Sequence, residues 1–319
     1  MQQQCHGSGA ARRCWRRARI LAMLGLALSL AACIPGPNGG GWGVGSYQGD
    51  TSTRAIHDRG GLVIATVPEL QPVMQALAQV WAAQYPDIPL AFSVSTAIIS
   101  AQSTNTSIGT DLLITDLDQA QYETSAQGAI PEPGVVFAAS TLDFAMPAGN
   151  PANITSLQQV ARVNLHLVNV SWNSGVSWYT VRALQRMMRD PAFAPAQLPC
   201  GSTYSNCVYA NVAVTAADGL SAARLLAGQT QYEGAFVYHT NVLQVEREQG
   251  AGVLTTIPVP TSLAPPNPVW CAIGGLAAPN PAHARLFQLF LLTAAAQAVL
   301  ASYGYLPPAA ASGAPDVTP

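Results

Sequence analysis

An unbroken apolar run, Leu62-Val63-Ile64-Ala65 closed by Thr66, sets the terms for the chain, because the period of its apolar residues then changes at once. From Leu70 to Tyr85, Val73, Leu77, Val80 and Trp81 fall on one helical face. Pro86 and Asp87 stop that helix. Leu90 to Ser95 reads as the next strand, a polar stretch follows to Gly109, and Thr110 to Asp116 reads as a third strand. Leu117 to Gly128 reads as a helix with a glycine end. This β-α-β-α order predicts α/β layers around a mostly parallel sheet.

The pattern then loosens. Val135 to Pro147 holds two short strands, VVFAAS and FAMP, and Gly149-Asn150-Pro151 is a turn before a short helix from Ile154 to Val163. Strands are expected at Val208 to Val214, Gly234 to Tyr238, Val253 to Pro258 and Val269 to Ile273, with a helix from Leu220 to Ala227. A single long apolar helix is expected from Phe287 to Tyr303. Its Gln288 and Gln297, and a length short of a bilayer span, favour a core helix. No repeat is visible, which fits one lobe begun by the N-terminal part and completed by the C-terminal part, with a second lobe inserted.

Residues 1–32 read as an export signal. Arg12, Arg13, Arg16, Arg17 and Arg19 precede an apolar core, Ile20 to Ala32, too short to span a bilayer. Leu30-Ala31-Ala32-Cys33 resembles the lipobox of bacterial lipoproteins, which implies cleavage before Cys33 and a diacylglycerol on its sulfur. The product would be exported and held at the outer face of the bacterial cell membrane, or on its periplasmic side. Residues 33–60, rich in glycine and poor in apolar side chains, read as a flexible tether. Losing the leader removes five of 14 arginines, and no lysine exists, so nine cations face 16 acids. That composition excludes a basic nucleic-acid footprint or a polybasic membrane patch. It also means that neutral dipoles would have to hold any bound anion.

Chemistry-bearing residues are sparse. Cys200 and Cys207 bracket a short loop in a compartment that permits a disulfide, and the competing metal reading has the wrong spacing and no nearby histidine. Cys271 reads as a buried free thiol. His57, His166, His239 and His283 form no two-histidine metal spacing. No nucleophile elbow, phosphate-binding glycine loop or Cys/His nucleophile pattern occurs. Neither catalysis nor a cofactor is expected.

The most suggestive stretch runs from Ser171 to Arg189, SWNSGVSWYTVRALQRMMR. A β-rich run leads into Asn173, Ser174 and Gly175, and then Val181, Leu184, Met187 and Met188 recur at helical spacing. Such a start carries free N–H groups and a partial positive charge of roughly +0.5, and with Ser174 and Ser177 it is a candidate oxyanion seat. It also reads as an ordinary capped helix.

Five segments, in order, resemble those of periplasmic molybdate-binding proteins, over roughly residues 62–306. They are TDLLITDLDQAQYETSAQGAI, MPAGNPANITSLQQV, GVSWYTVRAL, DGLSAARLLAGQ with GAFVYHTN, and LFQLFLLTAAAQAVLASYGY. The resemblance implies a two-lobed periplasmic-binding-protein clamshell. Lobe 1 would span 61–144 and resume at 241–306, lobe 2 would span 145–240, and 307–319 would be a tail. It implies a monomeric substrate-binding protein of an ABC importer that meets a membrane permease and binds a tetrahedral oxyanion, molybdate or tungstate first. Carried over by position, Ser95 or Thr96 would give a hydroxyl, Val176, Ser177 and Gly219 backbone N–H groups, and Tyr238 a phenol. Asp218 would stand beside Gly219 as an N-cap.

The resemblance breaks after the first strand, at Thr66-Val67-Pro68-Glu69-Leu70. One register lets Thr66 supply the expected hydroxyl; another puts Glu69 there, where a carboxylate would repel a dianion. If Glu69 points into the cleft, the solute is expected to be protonated, cationic or organic. Sulfate or phosphate, a small organic solute, and a non-transport sensing lipoprotein stay open as alternatives.

Overall fold

The computed structural model describes residues 55–95, 110–117, 134–161, 165–171, 174–190, 212–273 and 278–313. The export signal, Cys33, Thr96, most of the helix expected after Leu117, and Cys200 and Cys207 lie outside these residues.

Strand β1 (Leu62–Thr66) is buried along its whole length, as a strand covered on both faces must be. Helix α1 (Gln71–Gln84) begins with a proline in its first turn and buries Val73, Met74, Leu77 and Trp81. Strands β2 (Leu90–Val94) and β3 (Leu112–Asp116) flank β1 in parallel. β4 (Val135–Ser140) and a late strand, β10 (Asn267–Ile273), complete a five-stranded sheet in the order β2-β1-β3-β10-β4. β10 runs antiparallel to both of its neighbours.

Beyond Thr141 the chain enters other layers. β5 (Leu142–Pro147) pairs antiparallel with β8 (Ala235–Tyr238) on one side and β9 (Leu254–Pro258) on the other. β8 and β9 therefore run the same way, and helix α4 (His239–Gln249) carries the chain between them. β6 (Leu167–Val170) and β7 (Val212–Ala216) form a parallel pair joined to the start of β8 by a bridge between Leu167 and Gly234. The sheets are thus mixed rather than mostly parallel. β10 inserts between strands made long before it, and β5 has to serve two strands of the opposite direction.

Two hydrophobic cores result. The first gathers β1, α1, β3, β10 and the C-terminal helices, from Leu62 through Tyr305. The second holds only residues between Leu142 and Ala264, including Val242 and Val245 of α4 and Leu254 of β9. α4 and β9 bury their apolar faces with the second core, and the chain returns to the first core after Ala264. Residues just before Gly61 pack onto β3 and the start of β1. His57 Nε2 bonds Asp111 Oδ2 at 2.9 Å, and the Gly61 N–H donates to the Ile56 carbonyl.

The expected turn at Gly149-Asn150 is present with both residues at positive φ, and the Asn150 side chain closes it onto Ile154 N and O. The helix expected after it is a 3₁₀ segment, Leu157–Ala161. Helix α4 was not expected; it starts directly from β8 and ends at Gly250, φ +112°. The single C-terminal helix is two, α5 (Pro281–Leu291) and α6 (Ala294–Ser302), bent by 63°. Thr293 causes the break: its Oγ1 accepts from Ala296 N and so caps a new helix. Gln288 donates to the Cys271 carbonyl, and Gln297 to those of Phe137 and Leu291. No single helix among the described residues is long and apolar enough to cross a membrane. Cys271 is a buried free thiol.

Trp81 ties the first core together. Its ring meets Phe287 and Phe290 edge-on at 5.0 and 5.3 Å, and its Nε1–H donates to the Ile88 carbonyl at 2.8 Å. Trp81→Ala is expected to cost about 3–5 kcal/mol, read as a lower denaturation midpoint, with Trp81→Phe costing clearly less. Equal losses would show that a single aromatic ring in the core recovers nothing and that the stabilisation comes from the indole N–H and second ring alone.

Candidate functional site

The loop after β1 and the end of β3 meet the starts of two helices. Helix α2 (Gly175–Arg189) follows β6, with Ser174 as its N-cap residue in extended conformation. Helix α3 (Gly219–Gly228) follows β7, with Asp218 as its N-cap. Asp218 is fully committed to that cap: Oδ1 accepts from Ser221 N at 2.7 Å and Oδ2 from Ser221 Oγ at 2.9 Å. The two helix starts touch, since a Cβ built on Gly219 would lie 3.1 Å from Val176 Cγ1 and 2.7 Å from Asn241 Oδ1. Gly175 is more tightly confined. A Cβ there would lie 1.7 Å from Asp116 Oδ2, so only glycine lets the end of β3 approach α2 this closely.

Glu69 sits between these helix starts. Ser174 makes no side-chain cap to its own helix; its Oγ instead donates to Glu69 Oε1 at 2.5 Å. The Gly219 N–H donates to the same oxygen at 3.2 Å, and Glu69's own N–H also bonds its carboxylate. The donors thus come from both helix starts and their acceptor from the loop after β1. Burial first, and then the Asp218 carboxylate, push the Glu69 carboxyl up to about 7 from 4.5, against the pull of its three donors.

A small cavity adjoins this junction. Glu69, Asp116, Ser140, Tyr238, Thr240, Asn267 and Tyr305 line its polar side, and Val67, Leu70 and Val269 its apolar side. Asn267 Nδ2 donates to the Tyr238 hydroxyl at 2.7 Å. Ser140 Oγ and Thr240 Oγ1 are 3.2 Å apart. Burial, and next the Asp116 charge, raise the Tyr238 phenol well above its ordinary range, so it is held as a neutral phenol. Among the described residues no arginine lines the cavity.

The residues singled out from the sequence fare differently. Tyr238 lines the cavity, and Gly219 reaches the junction through its N–H. Val176 is buried against Gly219, while the Ser177 N–H turns back to the Ser174 carbonyl at 3.0 Å. Thr66 is buried, and its Oγ1 bonds nothing among the described residues. Ser95 is half-buried with its N–H on the Thr66 carbonyl. Neither Thr66 nor Ser95 lines the cavity. Asp116, Asn267, Thr240 and Tyr305 were not singled out, and they make up much of the polar wall. Among the described residues no group of three or more His, Cys, Asp or Glu is placed to hold a metal ion.

A model of the bacterial extracellular solute-binding protein family matches residues 62–306, and the chain belongs to that family. Its members bind solutes for transport of the ABC type and are not enzymes. No curated protein matches the chain. Among solved structures it is similar to the periplasmic molybdate-binding protein of Azotobacter vinelandii, at 17% identity and a TM-score of 0.56, over 77% of this chain and 98% of that one. The sulfate-binding protein of Mycobacterium tuberculosis matches at 17% identity and a TM-score of 0.60, over 79% and 89%. An iron-bound protein of Pseudomonas aeruginosa matches at 13% identity and 0.58, over 81% and 90%. The shared property is the fold.

The raised Glu69 carboxyl makes stability depend on pH. It keeps its proton in the folded chain where the unfolded chain has released it, so its contribution to stability falls as pH rises from about 4.5 to about 7, then levels off. Glu69→Gln removes that slope. Relative to the parent, the variant should gain up to about 3 kcal/mol between pH 5 and 8, measured by denaturant unfolding. A difference that does not change with pH would show that Glu69 titrates like an exposed carboxyl.

Proposed function

We propose that this protein is the receptor of an ABC importer, exported and lipid-anchored through Cys33, whose two cores are the lobes of a clamshell. In this reading lobe 1 comprises 61–140 and 267–306, and lobe 2 comprises 142–264. The solute occupies the cavity where the lobes face each other and is handed to a membrane permease without chemistry. The observation that carries the reading is the meeting of side chains from both cores around a small, partly open cavity with a polar and an apolar side, beside two helix starts.

The solute is a small neutral or cationic molecule presenting hydrogen-bond donors. Glu69 and Asp116 line the cavity, Tyr238 and Asn267 are neutral, and among the described residues no basic side chain lines it. A dianion would meet this wall with nothing to neutralise it. A second reading, binding of molybdate, tungstate, sulfate or phosphate, is favoured by the two helix starts, which supply the kind of neutral donor that suits an oxyanion. It requires Glu69 to leave those donors.

Thermal melting against amines, polyols, amino acids and oxyanions separates the two. A solute at ~100 times its dissociation constant adds roughly 2.7 kcal/mol, so a true ligand gives a clear shift. A neutral or cationic solute is expected to do so, and molybdate, tungstate and sulfate to leave the midpoint unchanged. A shift with an oxyanion alone would overturn the first reading in favour of the second. Tyr238→Phe should weaken binding of the identified solute by about tenfold, the scale of one hydrogen bond. Unchanged affinity would remove Tyr238 from the site.

A further inference from the structure

We propose that Glu69 is the specificity-determining residue of this site: its side chain is a tethered occupant of an oxyanion seat that the fold still builds, and it keeps free oxyanions out. The inference rests on the receptor reading above but concerns a separate property, the state of the seat.

A carboxylate is itself an oxyanion. Glu69 Oε1 takes the hydroxyl of Ser174 at the start of α2 and the N–H of Gly219 at the start of α3. These are donors that an anion from solution would need. Ser174 forgoes its own helix cap to make this bond, so the arrangement is not a by-product of capping. The anchor is rigid. Val67 and Leu70 on either side of the Pro68-Glu69 pair are buried, and the loop is closed by Leu70 N to Val67 O and Gln71 N to Pro68 O. A group tethered so closely competes at an effective concentration of millimolar or more. A free anion at micromolar levels would lose to it.

Volume and charge act together. With Glu69 in place, an entering oxyanion must displace the side chain from its donors and then share the cavity with a second carboxylate, Asp116. With a short hydroxyl or methyl at position 69, the Ser174 hydroxyl and the Gly219 N–H face an opening of about the removed carboxyl's size. The residue therefore decides which class of solute reaches the helix starts. In the parent it reserves them for itself and offers its outward face, with Asp116, to hydrogen-bond donors.

The test is calorimetric titration of the parent, Glu69→Ser, Glu69→Ala and Glu69→Gln with sodium molybdate, tungstate and sulfate at one pH and ionic strength. Melting curves establish that each variant is folded. The parent and Glu69→Gln, which keeps the length of the side chain, should give no measurable binding. Glu69→Ser or Glu69→Ala should bind at least one of the anions at least about tenfold more tightly than the parent. Binding by the parent equal to that of the shortened variants would overturn the proposal, as would folded Ser and Ala variants that both fail to bind. The outcome is independent of the solute panel. A parent that takes none of the neutral or cationic solutes tried would still leave the gain in the shortened variants to be seen or not.

Discussion

One carboxylate oxygen joins the two cores at the cavity. Its partners lie 105 and 150 residues away in the sequence, at the starts of two helices that grow from a different sheet. The helix starts are electropositive and short of acceptors, while the carboxylate is buried and short of charge compensation. Each relieves the other. Close packing around the same helix starts requires glycine at both: a Cβ on Gly175 would run into Asp116, and one on Gly219 into Asn241.

Much of the architecture could be read from the chain. The strand-helix-strand opening is as its periodicity suggests, with Val73, Leu77 and Trp81 inward and Pro86 just past the end. What escaped was either local chemistry hidden in an apolar background or membership decided at long range. Thr293 sits in a run of leucines and alanines, yet its hydroxyl ends one helix and starts another. Helix α4 follows β8 without a turn, so no breaker announces it, although Val242, Val245 and Gly250 were available as signals. The late return to the first core was invisible because an amphipathic helix does not say which of two cores will take its apolar face.

The site was half legible. The helix starts, Tyr238 and the anomaly of Glu69 could be found from residue types and order. The direction of the Glu69 side chain could not, because a three-residue change of register exchanges it with Thr66. In the structure Thr66 is buried in β1 and does not line the cavity, and Glu69 takes the donors of the two helix starts. Asn267 and Thr240 were missed for a different reason. Each is an ordinary polar residue at the edge of an element, and only the pairing of β10 with β4 and the seating of α4 bring them to Tyr238 and Ser140.

The chain passes from the first core to the second across a single residue, Thr141, and comes back between Ala264 and Asn267. Ser140 and Asn267, which border those passages, are also wall residues of the cavity. In the clamshell reading proposed above, pivot and pocket are therefore built from the same side chains: turning one lobe against the other would reshape that wall, and a solute filling the pocket would bear on the axle itself, with no lever needed in between.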